Sequence, residues 1–141
     1  LEQVATYQAT TDATHRGMLK KVVTDAESIA DLLALQARHG IPVIAKLQLS
    51  TEADLKRIDA LVDAGVLAAE VGFSKVSVVA AACATSLPIS VYTLDEIACD
   101  GFSDAVGRSD PALIWGHLAK IGVRLFMTDA PEILHGHFRS A

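Results

Sequence analysis

The sequence predicts an α/β fold in which parallel β-strands alternate with α-helices, as a partial or reduced TIM-barrel-like sheet of about four strands. Apolar residues make up 51% of the 141 residues, but aromatic residues only 5%. The core is therefore built from Ala, Val, Leu and Ile, which suits buried parallel strands covered by Ala-rich helices. Short apolar runs also alternate with helical patterns along the chain, which predicts repeated βα units and a parallel sheet. Four strands are half of a barrel whose usual length is about 250 residues.

Two regions are predicted. Residues 1–23 are rich in Thr and lack periodicity, so we expect an irregular N-terminal segment, and residues 24–141 form a single α/β domain. The first helix begins at Thr24, the N-cap of a capping box that Glu27 completes, and ends at Gly40. Strands are predicted at 41–45, 66–71, 88–92 and 123–128, and further helices begin near 51, 74, 93, 111 and 131.

Charge and hydropathy exclude two classes of partner. The net charge is −5 and the 12 basic residues are scattered, so no basic stripe is available for nucleic acid. No apolar run approaches the roughly 18–20 residues that cross a bilayer, so no membrane span is expected. The opening Leu1-Glu2-Gln3 lacks the features of a signal peptide, and we expect a cytoplasmic protein. A first residue of Leu rather than Met suggests a processed or truncated chain.

Two segments join a strand end to a helix start. Residues 88–95 have the sequence Pro-Ile-Ser-Val-Tyr-Thr-Leu-Asp, and residues 122–131 have Gly-Val-Arg-Leu-Phe-Met-Thr-Asp-Ala-Pro. They resemble the last two strands of the glycerophosphodiester phosphodiesterase family, with the motifs Val-x-Val-Trp-Thr-Val-Asn and Gly-Val-Asp-x-Ile-x-Thr-Asp-x-Pro. Residues 40–48 resemble the family strand that ends in Glu-x-Lys, with either Ile44 before Lys46 or Lys46 before Gln48 at the two positions, so neither alignment supplies the acid.

The resemblance implies an activity, a cofactor and a catalytic residue. It implies a phosphoric diester hydrolase of lipid metabolism that converts a glycerophosphodiester to glycerol 3-phosphate and an alcohol. In the family, carboxylates hold a divalent cation, Mg²⁺ or Ca²⁺, and two histidines act as general acid and base. His15-Arg16-Gly17 matches the first histidine motif, so His15 is the catalytic candidate, with a chance three-residue match as the alternative. The family's Glu-x-Asp and His-Asp motifs are missing, so the metal ligands stay unknown.

Five residues at or near predicted strand ends are candidates for binding the substrate. Barrel active sites form at the carboxyl ends of the strands, which places these residues at the right edge of the sheet. Three of them have a plain alternative: Lys46 extends into solvent, Glu70 faces outward, and Asp129 caps the last helix. The candidates are Lys46, Glu70, Tyr92, Thr128 and Asp129.

Function divides into three hypotheses. The first is a phosphodiesterase-like protein that takes a small phosphodiester as substrate. The second is a non-catalytic, barrel-derived scaffold, which self-associates into a homo-oligomer through open sheet edges or docks on a partner protein. The third is a small phosphate-binding α/β domain that resembles the family by chance.

Overall fold

Strands and helices alternate along the chain in a computed structural model that describes residues 18–94 and 96–140. The strands are β1 (Leu19–Val22), β2 (Val43–Leu49), β3 (Ala69–Phe73), β4 (Ile89–Tyr92) and β5 (Leu125–Met127). The helices are α1 (Ala26–His39), α2 (Leu55–Asp63), α3 (Val76–Cys83), α4 (Asp104–Gly107), α5 (His117–Lys120) and α6 (Pro131–Ser140). A 3₁₀ turn (Glu52–Asp54) precedes α2, and a π-helical turn (Ala112–Gly116) precedes α5.

The five strands form one sheet in the order β1-β2-β3-β4-β5, and every neighbouring pair is parallel. This confirms the predicted α/β fold of parallel βα units. The strand number differs from the prediction of about four, because β1 lies within residues 1–23, which were expected to be irregular. Two of the four residues of this strand, Leu-Lys-Lys-Val, are lysines, so the sequence shows no apolar run there that would predict a strand.

Two element boundaries differ from those predicted from local sequence signals. The N-cap of α1 is Asp25 rather than Thr24, and its partner in the capping box is Ser28 rather than Glu27. The strand predicted to begin at residue 66 begins at Ala69 in the structure. Gly65, at a φ of 70°, follows the end of the preceding helix, and a short loop separates it from the strand.

Residues near 93 do not begin a helix in the described part of the chain. The next helix, α4, starts after Ser103, which accepts a hydrogen bond from the Val106 N–H. Two histidines near the carboxyl end, His135 and His137, lie in α6.

The sheet has two chemically different faces. Alternate residues of each strand point to the same side, and the register aligns them between strands. One side packs against the helices and contains the apolar core, with α1 on β2 and α3 on β3. We call the opposite side the inner face. It consists of Met18, Lys20, Val22, Ile44, Lys46, Gln48, Glu70, Gly72, Ser90, Tyr92, Leu125 and Met127.

The sheet is rolled around its inner face. In a flat sheet, β1 and β5 would be about 19 Å apart, four strand spacings. Instead, Lys20 Nζ lies 3.8 Å from Met127 Sδ, so side chains of the two outer strands meet over the inner face. β1 and β5 do not pair with each other within the described residues, so the roll is open.

None of the helices in residues 18–94 and 96–140 combines the length and the apolar character that a membrane crossing requires.

Candidate functional site

Glu70 is a buried carboxylate at the centre of the inner face. It is the second residue of β3, aligned with Lys46 on β2 and Ser90 on β4, and it is 2% exposed. Its Oε2 atom lies 2.9 Å and its Oε1 atom 3.2 Å from Lys20 Nζ. Lys46 Nζ lies 3.6 Å from Oε1 on the other side. Two ammonium groups therefore share one carboxylate, which offsets the cost of burying a charge in the sheet.

Lys46 is held by a second contact. Its Nζ atom lies 4.6 Å from the centroid of the Tyr92 ring, within the range of a cation–π interaction. Tyr92 ends β4, so the Lys46 side chain runs from β2 across β3 towards β4. The side chain is 40% exposed, whereas that of Lys20 is 35% exposed, so both ammonium groups also reach solvent.

A cavity of about 500 Å³ opens over the inner face. It is large enough for a small molecule with one phosphate group. Inner-face residues of all five strands contribute to its wall, and the start of α6 closes one side. The lining residues are Met18, Lys20, Ile44, Glu70, Ser90, Leu125, Phe126, Met127, Thr128, Pro131 and Leu134.

A glycine opens space beside Tyr92. A Cβ atom on Gly72 would overlap Gln48 Oε1, and would lie 2.7 Å from the Tyr92 hydroxyl and 2.9 Å from the Ala98 carbonyl oxygen. Only a residue without a side chain lets these groups converge over β3. The Gln48 amide, which donates to the Ala98 carbonyl at 3.5 Å, and the Tyr92 hydroxyl therefore form a polar rim near the carboxyl end of the strands.

A second polar cluster connects the ends of β4 and β5. Asp104, which is 6% exposed, accepts hydrogen bonds from the Thr93 hydroxyl, from the Thr128 hydroxyl at 2.8 Å and from the Asp129 N–H. Trp115 Nε1 donates to Thr93 Oγ1 at 3.2 Å. Both carboxylate oxygens of Asp104 and the hydroxyls of Thr93 and Thr128 have partners within the cluster, so its direct role is to hold the two strand ends together.

A third carboxylate lies in the loop after β2. Asp54 Oδ2 accepts the N–H groups of Ser50 and Thr51, both at 2.8 Å, and Oδ1 accepts from Arg57 at 2.6 Å. These bonds favour the ionised form, first through the backbone N–H of Thr51 and then that of Ser50, and lower the pKa of Asp54 to about 2. The Arg57 guanidinium also donates to the Gln48 carbonyl oxygen at 2.7 Å, which ties this loop to the end of β2.

The structure brings three of the predicted site residues together and separates two. Lys46, Glu70 and Tyr92 form one contact chain on the inner face. Thr128 lines the cavity, but its hydroxyl donates to Asp104 and accepts the Ala130 N–H. The side chain of Asp129 is exposed and accepts no hydrogen bond within residues 18–94 and 96–140, so the cap that was predicted for it is not found there. The catalytic candidate His15 lies outside the described residues.

Sequence reasoning missed Lys20, Gln48, Ser90 and Asp104. Lys20 was hidden by the apparent irregularity of residues 1–23. Gln48 lies two residues after Lys46 on β2, and Ser90 lies two residues before Tyr92 on β4. Side chains two residues apart on a strand point to the same face of a sheet, so the predicted site residues already indicated both positions. Asp104 carried no comparable signal, because it lies beyond a non-helical connection and meets the strand ends only in the folded chain.

The inner-face cluster suits an anion better than a metal ion. Lys20, Lys46 and Glu70 carry a net formal charge of +1. Ca²⁺ or Mg²⁺ is held mainly by carboxylate and other oxygen ligands, with more than one acid in a typical site. In the described residues no group of three or more His, Cys, Asp or Glu side chains is placed to hold a metal, and both Glu70 oxygens already face ammonium groups. These residues therefore do not fit the divalent cation that the family resemblance implies.

Comparison with known proteins assigns the chain to no family: no protein-family model matches it, and a search of curated proteins found no significant match.

Proposed function

We propose that the chain binds a small phosphodiester on its inner face, in the manner of a glycerophosphodiester phosphodiesterase. The observation that carries this proposal is the Lys20–Glu70–Lys46 cluster, in which Lys20 and Glu70 line a cavity of about 500 Å³. The resemblance of residues 88–95 and 122–131 to the family supports the same class of ligand.

The two lysines supply the charge and the donors for a phosphoryl group. Each ammonium group has three N–H donors, and Glu70 engages only part of them. Lys46 has the longer contact with Glu70, 3.6 Å against 2.9 Å for Lys20, and is the more exposed of the two. Lys20 lines the cavity, whereas Lys46 does not. We therefore assign Lys20 as the direct contact of the phosphoryl oxygens, and Lys46, which Glu70 holds at the longer distance, as the second cation that turns towards them.

Polar groups beside the lysines can hold the rest of the ligand. The Ser90 hydroxyl is on the inner face next to Glu70, is 6% exposed, and has no hydrogen bond to another described residue. Tyr92 and Gln48 add a hydroxyl and an amide at the rim. Thr128 and Asp129 stand at the end of β5, where Thr128 borders the cavity. A glycerol unit bound to the phosphate would meet these hydrogen-bonding groups.

Hydrolysis of the phosphodiester is a further part of this proposal, and it needs groups that the described residues do not supply. His15 is the candidate general acid or base in the chain. A divalent cation of the kind that the family uses would polarise the phosphoryl oxygens. The inner face does not fit such an ion, so the described residues account for binding and not for bond cleavage. We propose that this function is carried out in the cytoplasm, because Cys83 and Cys99 are not joined to each other by a disulfide.

The binding proposal is tested with the full chain, by titration with glycerophosphoglycerol and with inorganic phosphate. Lys46→Met should weaken both by about tenfold, because one of the two positive charges beside Glu70 is lost. Lys56→Met is the matched control, because Lys56 is exposed on α2, in the helical layer on the other side of the sheet. The proposal is wrong if neither compound binds the wild-type chain. Release of glycerol 3-phosphate with Mg²⁺ or Ca²⁺, measured against a His15→Ala variant, tests the hydrolytic step separately.

An assembly module is the second candidate function. Three inner-face side chains of the outer strands are exposed although apolar: Val22 is 61% exposed, Leu125 49% and Met127 36%. A second rolled sheet placed edge to edge would cover them and pair the outer strands. Light scattering at increasing concentration tests this candidate, and a chain that stays monomeric throughout would count against it.

A further inference from the structure

We propose that the site selects phosphodiesters whose alcohol is uncharged, such as a polyol, and rejects those whose alcohol is a quaternary ammonium, such as choline. This inference rests on the proposed function and names its class of ligand. It follows from what already occupies the groups that would attract a cation.

Proteins bind a quaternary ammonium group with aromatic faces, which carry partial negative charge, and an acidic side chain supplies the countercharge. The inner face has one group of each kind close to the phosphate-binding position, the Tyr92 ring and the Glu70 carboxylate. Glu70 is the only acidic residue among the described residues of the cavity lining and of the inner face.

Both groups are occupied by internal cations. Lys46 Nζ lies 4.6 Å from the centroid of the Tyr92 ring, and the same atom lies 3.6 Å from Glu70 Oε1. Lys20 Nζ lies 2.9 Å from Glu70 Oε2. The carboxylate is therefore outnumbered by ammonium groups, and a choline group would meet a net positive charge.

Phe126 is the one aromatic residue among the described residues that line the cavity, since Tyr92 lies on the inner face outside that lining. Its ring stacks on Phe138 with centroids 6.1 Å apart, and no carboxylate of the described lining lies beside it on β5. A single ring without a counterion is not the cage that a quaternary ammonium requires.

Uncharged alcohols meet a different surface. The buried Ser90 hydroxyl, the Gln48 amide and the Tyr92 hydroxyl both donate and accept hydrogen bonds, as polyol hydroxyls do. The same lysines that exclude a cation attract the phosphate, so one arrangement provides both binding and discrimination.

The experiment compares two ligands that differ only in the alcohol. The full chain is titrated with glycerophosphoglycerol and with glycerophosphocholine at one ionic strength, with inorganic phosphate as the anion reference. We expect glycerophosphocholine to bind about tenfold more weakly, the effect of one repelled charge several ångströms away in a partly solvated site. Raising the salt concentration should reduce this ratio, because the repulsion is screened.

Lys46→Met should bring the ratio close to one, since the variant removes the excess charge and uncovers the Tyr92 ring. Lys56→Met should leave the ratio unchanged. Equal affinity of the wild-type chain for both esters would overturn the inference and leave the proposed function in place. If neither ester nor phosphate binds, the proposed function itself fails. Should Lys46→Met fail to fold, the wild-type ratio and its salt dependence still decide the question.

Discussion

At the scale of single residues, Glu70 shows how a charge is accommodated inside a parallel sheet. Its carboxylate is 2% exposed, and its two partners, Lys20 and Lys46, reach it from the strand two positions away and from the adjacent strand. Because both partners also reach solvent, Glu70 is neutralised without a fully buried ion pair. The residue therefore has opposite effects on stability and on anion binding.

Glu70→Gln should lower the free energy of unfolding by about 1–3 kcal/mol, because two ammonium groups lose their acceptor. It should also raise the affinity for phosphate by about tenfold, because the net charge of the cluster rises by one unit. Urea unfolding and phosphate titration measure the two quantities. Glu132→Gln, on the exposed first turn of α6, is the control and should change stability by less than about 1 kcal/mol. A parallel fall in stability and affinity would contradict this account.

Asp54 predicts a pH dependence of stability. Its folded pKa of about 2 is lower than that of an unfolded chain, about 3.9, so its contribution is complete above the unfolded value. That contribution is lost as the pH falls through the folded value. We expect Asp54→Ala to cost about 1 kcal/mol from pH 5 to 7, and the difference from wild type to shrink between about pH 4 and pH 2. Urea unfolding across this range measures it, and a difference that persists undiminished at pH 2 would refute the assignment.

At the scale of elements, the inner face depends on close approach between strands. Gly72 lies on β3 between Gln48 on β2 and Tyr92 on β4, and a methyl group there would meet both side chains and the Ala98 carbonyl. Gly136, in α6, has no atom within 4 Å of the corresponding position. Replacement of glycine by alanine should therefore change the stability of the fold in opposite directions at Gly72 and Gly136.

Gly72→Ala should destabilise the fold by about 1–3 kcal/mol, since the neighbouring side chains must move out of contact. Gly136→Ala should stabilise it by about 0.5–1 kcal/mol, as expected when a helical glycine is replaced. Thermal or urea unfolding of the two variants measures the change in stability and its direction at each position. Equal changes in stability at the two positions would show that the space beside Gly72 on β3 can accommodate a methyl group.

Asp104 is the element-scale link between β4, β5 and the helical connection. Asp104→Asn should cost about 2–3 kcal/mol, because the new amide N–H groups face the Thr93, Thr128 and Asp129 donors. Asp63→Asn, at the exposed end of α2, is the matched control and should be neutral or slightly stabilising. Urea unfolding distinguishes the two. If the Asp104→Asn variant is as stable as its control, the Asp104 cluster does not stabilise the fold.

Elements with a clear period could be predicted from the sequence, whereas polar elements could not. β2 and α1 were found from apolar spacing, and the parallel sheet followed from their alternation with later units. β1 was missed because Lys20 and Lys21 occupy half of it. For the site, Lys46, Glu70 and Tyr92 were found because they lie at or near the ends of the predicted strands, although Lys46 is the fourth residue of β2 and Glu70 the second of β3 in the structure. Their mutual contacts, and the role of Lys20, depend on how far the sheet is rolled, which no local pattern encodes.

At the scale of the whole molecule, the rolled but open sheet predicts that backbone amides exchange with solvent at different rates in the central and the outer strands. β3 is paired on both sides and all five of its residues are buried, whereas β1 and β5 each pair with one neighbour in the described part of the chain. Amide hydrogen exchange should be slowest in β3 and faster in β1 and β5. Protection of β5 that rises with protein concentration would support the assembly candidate. Uniform protection of all five strands in dilute solution would contradict an open sheet.

The hydrogen bond from Trp115 to Thr93 has a practical consequence. Trp115 is the only tryptophan of the sequence and is fully buried, and its indole is bonded to the residue that follows Tyr92. We expect a ligand that draws Lys46 away from the Tyr92 ring to disturb this strand end. The indole is then an intrinsic fluorescent reporter, hydrogen-bonded to the residue next to Tyr92. Its emission gives titrations on the unlabelled wild-type chain an optical signal.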